Sequence, residues 1–73
     1  DALALMGTAY GSSGDHKEAI EFFERAISIK PDIAITYVNL GVAQFNIGLE
    51  EDAQINFNKA VQIDPNALDQ IQN

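Results

Sequence analysis

The sequence has 73 residues, enough for one small domain. Its 11 acidic and 4 basic residues give a formal net charge of -7, which argues against binding to nucleic acid or to an anionic membrane. The absence of cysteine excludes disulfide bonds and thiolate metal sites, and no apolar run approaches the roughly 18–20 residues that span a bilayer. The first six residues lack the basic flank of a secretory signal, so the cytoplasm is the default expectation for the compartment.

The first half of the chain predicts two helices joined by a turn. Apolar residues recur at three- and four-residue spacing at Leu3, Met6, Ala9 and Tyr10. Glycines and serines at residues 11–14 interrupt this pattern, and Asp15 then predicts an N-cap with Glu18 as its capping-box partner. The second helix has a broad apolar stripe of Ala19, Phe22, Phe23, Ala26, Ile27 and Ile29. It ends before Pro31, because the residue preceding a proline avoids helical geometry.

The second half repeats the first with a shift of 34 residues. The identical positions are small, apolar or turn-forming: Gly7 and Gly41, Ala9 and Ala43, Gly14 and Gly48, Ala19 and Ala53, Phe23 and Phe57, Ala26 and Ala60, Ile29 and Ile63, Pro31 and Pro65. Charged residues are not repeated in identity. A repeat that keeps packing residues while surface residues vary is structural, and it predicts a second helix pair that ends at Pro65.

The glycines of the stretch GTAYGSSG, residues 7–14, are interpreted as packing and turn residues. A phosphate-binding loop would follow a strand and carry a lysine after its last glycine, and this segment has neither. Gly7 lies inside a predicted helix, where glycine costs about 1 kcal/mol relative to alanine. We therefore expect the partner helix to approach Gly7 closely, at Ala19. Gly14 stands where a helix must stop, which predicts a positive φ.

A unit of 34 residues with these apolar, glycine and proline positions resembles the tetratricopeptide repeat. The resemblance covers residues 1 to about 67 and implies an all-α fold, an α-solenoid of two antiparallel helix–turn–helix units. The units are residues 1–33 and 34–67, and residues 68–73 begin a capping or third-repeat helix. In the family, the first helix of each pair lines a concave groove and the second forms the outer wall. Most members are scaffolds that hold peptides or partner proteins.

The resemblance also places the candidate binding residues. The concave face of the first copy would carry Asp1, Ala4, Leu5, Thr8, Gly11 and Ser12, and that of the second would carry Ile35, Val38, Asn39, Val42, Phe45 and Asn46. This surface is almost uncharged and largely apolar. The predicted site for an apolar segment of a protein or peptide comprises Leu5, Thr8, Ile35, Val38, Asn39, Val42, Phe45 and Asn46. Alternatively, neighbouring repeats or another copy of the chain cover these side chains. The rival function is self-assembly, in which the groove or the end faces bind another copy and the chain is a homo-oligomeric assembly module.

Nothing in the sequence indicates catalysis, a metal or a cofactor. His16 is the single histidine and is expected to be an exposed first-turn residue, without the converging ligands that a metal needs. Ser12 and Ser13 have no base at a suitable spacing. Repeat arrays usually need about three repeats for stability. The two copies are therefore expected to belong to a longer array, or to associate with one another.

Overall fold

The computed structural model describes residues 1–69, which form four α-helices and no strand. The helices are α1 (Ala2–Ser12), α2 (His16–Ile29), α3 (Ala34–Asn46) and α4 (Glu50–Ile63). Consecutive helices pack as hairpins, α1 with α2 and α3 with α4, and α2 packs on α3 to join the two pairs. The all-α prediction is confirmed. Helices α1 and α3 touch each other only lightly, which leaves a furrow between them.

The ends of the helices follow the sequence in most respects. The Asp1 carboxylate caps α1 by accepting a hydrogen bond of 2.8 Å from the backbone N–H of Ala4. Gly14 and Gly48 have φ of 86° and 88° at the ends of α1 and α3, so the positive φ predicted for Gly14 is confirmed. The capping box predicted for α2 is wrong, because the side chain of Asp15 makes no capping hydrogen bond.

The core of each hairpin is built from a glycine on the first helix and a phenylalanine on the second. A Cβ on Gly7 would lie 2.6 Å from Phe23 Cε1, and a Cβ on Gly41 would lie 2.6 Å from Phe57 Cε1. Gly7 therefore makes room for the ring of Phe23, and the expected approach at Ala19 is wrong. The glycine that faces Ala19 is Gly11: a Cβ added to it would lie 3.7 Å from Ala19 Cβ, an ordinary van der Waals distance.

The two hairpins differ at one pair of equivalent positions. In the first, the rings of Tyr10 and Phe22 stack with centroids 5.3 Å apart. In the second, the side-chain amide of Asn56 donates a hydrogen bond of 2.7 Å to Gln44 Oε1, and both side chains are buried. The same space is thus filled by an aromatic pair in one copy and by a hydrogen-bonded amide pair in the other.

The segment after α4 continues the packing pattern. Ala67 is buried in a cluster with Tyr37, Val38 and Ala60, and Leu68 packs against this cluster. The predicted start of a further helix at residues 68–73 lies mostly outside the described residues, which end at 69.

Candidate functional site

The furrow between α1 and α3 contains a cavity of about 210 Å³, which we call the groove cavity. Four residues of α1 and four of α3 contribute to it because residues three and four apart share a helix face. The residues that line it are Gly7, Thr8, Gly11, Ser12, His16, Phe23, Asn39, Val42, Ala43 and Asn46. Gly7 and Gly11 have no side chains to fill the space beside α1, so the ring of Phe23 forms part of the lining.

Four of the predicted binding residues, Thr8, Asn39, Val42 and Asn46, line the groove cavity together. Leu5 shares the helix face of Thr8, and its side chain is 71% exposed. Phe45 lies one turn beyond Val42 and is 58% exposed.

Ile35 lies apart from the groove cavity, at the other end of α3. It borders a second cavity of about 410 Å³, which is also lined by Ile63, Asp64 and Ala67. The structure therefore divides the predicted residues between two concave regions of the same helix face.

Val38 is not available for binding, contrary to the expectation from the sequence. Its side chain is 2% exposed and packs with Tyr37, Ala60 and Ala67. Residue 67 covers it because the chain turns back over α3 after α4 ends. The repeat pattern places Val38 next to Asn39, at the margin of the concave face of α3. Tertiary packing then decides whether its side chain faces the groove or the core.

Sequence reasoning missed His16 as a residue of this site. His16 is half-buried and lines the groove cavity, and its Nδ1 atom is buried without a hydrogen-bond partner among residues 1–69. The expectation of an exposed residue is wrong because the turn at residues 13–15 brings the start of α2 back beside the end of α1. The spacing of apolar residues in the sequence does not predict that His16 lies beside the groove cavity.

The lining of the groove cavity is polar at several points but carries no carboxylate, ammonium or guanidinium group. The hydroxyl of Thr8 donates a hydrogen bond of 3.0 Å to the carbonyl of Ala4. The side chains of Ser12, Asn39 and Asn46 make no hydrogen bond with any other residue of the described range. Within residues 1–69, no three histidine, aspartate or glutamate side chains converge on a possible metal position.

Comparison with known proteins agrees with the helical-hairpin architecture. Residues 1–33 and residues 34–67 each match the tetratricopeptide repeat. The chain is also similar to a protein named as a protein O-mannosyl-transferase from Caenorhabditis elegans, with 32% identity over 63 residues. That match covers 86% of this chain but 9% of the relative. Among residues 1–69, no helix has the length and apolar character to cross a membrane. Two consecutive repeats account for nearly the whole sequence, and the chain belongs to the tetratricopeptide-repeat family, whose repeats generally mediate protein–protein interaction and are typically non-catalytic.

Proposed function

We propose that this chain is a non-catalytic protein-interaction scaffold, and that the furrow between α1 and α3 binds an apolar segment of a partner protein. The observation that carries the proposal is the set of exposed apolar side chains on α1 and α3: Val42 lines the groove cavity, and Leu5 and Phe45 lie one helical turn from its lining residues Thr8 and Val42. An exposed apolar patch of this kind, bordered by polar side chains, is typical of a binding surface.

The chemistry of the furrow sets the chemistry of the partner. Covering a leucine, valine or phenylalanine side chain contributes about 1.5–3 kcal/mol. Asn39 and Asn46 can each donate to and accept from the peptide backbone of the partner, since an amide side chain has both functions. The residues that line the groove cavity offer no ammonium or guanidinium group to an acidic partner and no carboxylate to a basic one. A neutral apolar segment is therefore the partner that fits best.

The test is selection of short random peptides displayed on phage against the immobilised chain, followed by affinity measurement on the enriched peptides. Val42→Glu places a charge at the edge of the groove cavity, and we expect it to weaken binding at least tenfold while the helical circular dichroism spectrum persists. Glu24→Lys, on the opposite surface beside Ile55 and Lys59, is the matched control and should leave affinity unchanged. Enriched peptides that bind Val42→Glu as tightly as the unmodified chain would place the site elsewhere.

A second candidate function is self-assembly through the face of α1 that carries Met6, and one comparison between the repeats favours it. Leu40 is 4% exposed because α2 covers it, whereas Met6, its equivalent in the first repeat, is 44% exposed. A second copy that covers Met6 would bury it as Leu40 is buried. Light scattering over a range of concentrations tests this, with Met6→Lys as the variant that should abolish any association. A monomer at all concentrations would contradict self-assembly and leave peptide binding intact.

A further inference from the structure

The groove cavity has two kinds of wall that together describe its occupant. One wall is apolar, formed by the ring of Phe23, the Val42 and Ala43 side chains and the low backbone at Gly7 and Gly11. The rim is polar, formed by the hydroxyl and amide side chains of Thr8, Ser12, Asn39 and Asn46, together with the imidazole of His16. An occupant that satisfies both must have an apolar body and an uncharged polar tip.

His16 supplies a polar group that the fold itself does not use. Its Nδ1 is buried without a partner, and the ring makes no hydrogen bond with any described residue. Buried polar atoms are normally hydrogen-bonded, so an unpaired one calls for a specific explanation. A half-turn of the ring about the Cβ–Cγ bond exchanges Nδ1 and Cδ2 without breaking any hydrogen bond to the protein. The imidazole is therefore free to donate to, or accept from, a molecule in the cavity.

We propose that the groove cavity is a pocket for one tyrosine side chain of the partner segment, with His16 as a hydrogen-bonding partner of its hydroxyl. This inference rests on the proposed function of the furrow and specifies the partner. A cavity of about 150 Å³ is large enough for benzene, and this one, at about 210 Å³, has room for a phenol. An aromatic occupant gains from edge or offset contact with the ring of Phe23.

The alternatives are disfavoured by the same residues. A phenylalanine would fill the apolar part but would leave the imidazole and the amides without partners, which costs affinity. A phosphotyrosine, an aspartate or a glutamate would meet no ammonium or guanidinium group in the lining. An aliphatic side chain would lose both the ring–ring interaction with Phe23 and the hydrogen bond at the rim.

The test uses three small probes that differ in one group: p-cresol, toluene and p-tolyl phosphate. Each is titrated into the isotope-labelled chain, and binding is followed by backbone amide shifts, with those of Gly7 and Gly11 reporting on the groove cavity. We expect p-cresol to bind about threefold to tenfold more tightly than toluene, as one added hydrogen bond allows. p-Tolyl phosphate should not bind there.

Two variants separate the hydrogen bond from simple filling of space. His16→Phe keeps a ring of similar shape and removes both nitrogens, so it should abolish the preference for p-cresol while toluene affinity is retained. Lys17→Ala changes the neighbouring exposed residue and should leave both affinities unchanged. A preference for p-cresol that persists in His16→Phe, or equal binding of p-cresol and toluene to the unmodified chain, would overturn the proposal.

The peptide selection gives an independent reading of the proposed function. Enriched peptides that lose affinity with Val42→Glu but contain no recurrent tyrosine would refute the tyrosine pocket and leave the binding furrow standing. Failure of both p-cresol and every displayed peptide to bind would refute both. Enriched peptides whose affinity falls on replacement of one tyrosine by phenylalanine, and whose preference is lost with His16→Phe, would support both.

Discussion

Replacing Gly7 with alanine tests whether this glycine is present because of the ring of Phe23. A Cβ at residue 7 would lie 2.6 Å from Cε1, 2.8 Å from Cδ1 and 3.0 Å from Cζ of that ring, all shorter than an ordinary carbon contact. The ring has nowhere to move, because Phe23 is buried against Ala19, Leu40 and Ala43. Accommodation therefore requires a shift of α1 away from α2.

The predicted free-energy change is the difference between two opposing effects. Alanine is favoured over glycine in a helix interior by about 1 kcal/mol. Overpacking of a filled core costs typically 1–3 kcal/mol. We expect Gly7→Ala to lose about 1 kcal/mol of unfolding free energy, which for a domain of this size lowers the melting temperature by roughly 4–8 °C. Thermal and urea unfolding followed by circular dichroism measure it.

Gly11→Ala is the matched control on the same helix. Its Cβ would meet Ala19 Cβ at 3.7 Å, so helix propensity acts without a clash. We expect this variant to gain up to about 1 kcal/mol, since a glycine in a helix interior costs that much relative to alanine. Relative to the unmodified chain, Gly7→Ala should therefore have a lower free energy of unfolding and Gly11→Ala a higher one. If Gly7→Ala were as stable as Gly11→Ala, the packing explanation for the glycine would be refuted.

Two further substitutions test the second hairpin by urea unfolding. Asn56→Ala removes the donor to buried Gln44 Oε1 and should lower the free energy of unfolding by about 1–3 kcal/mol. A double variant that also carries Gln44→Leu should recover part of this loss, because no buried acceptor is then left unpaired. Unchanged stability of the single variant would show that the amide pair contributes nothing. Gly48→Ala forces a side chain into a backbone with φ of 88° and should cost about 1–2 kcal/mol, so a variant of unchanged stability would show that the turn readily adopts another conformation.

Much of the fold can be predicted from the sequence because the same pattern of apolar, glycine and proline residues occurs twice. Small and aromatic residues coincide after a shift of 34 positions, and this distinguishes the residues that pack in the core from the residues on the surface. Pro31 and Pro65 follow the two outer helices, α2 and α4, and the glycines at 14 and 48 mark the turns within each hairpin. Helix packing partners are harder to predict, since the pattern does not say whether Gly7 meets the alanine or the phenylalanine of α2.

The candidate site is less predictable, because its membership depends on contacts between segments distant in sequence. Val38 shares helical spacing with groove residues, yet the segment after α4 covers it with Ala67. His16 belongs to the outer helix by sequence, yet the preceding turn brings it to the groove cavity. Both errors concern residues at the edge of a helix face, where a rotation of a few tens of degrees changes the neighbours.

The binding furrow between α1 and α3 is tested most directly by mapping, through backbone amide chemical shifts, where a selected peptide binds the chain. We expect the largest changes on α1 and α3, at Leu5, Thr8, Asn39, Val42 and Phe45, and no change on the outer surface at Glu24 and Ile55. Changes concentrated on α2 and α4, with α1 and α3 unperturbed, would contradict a binding furrow between the two inner helices.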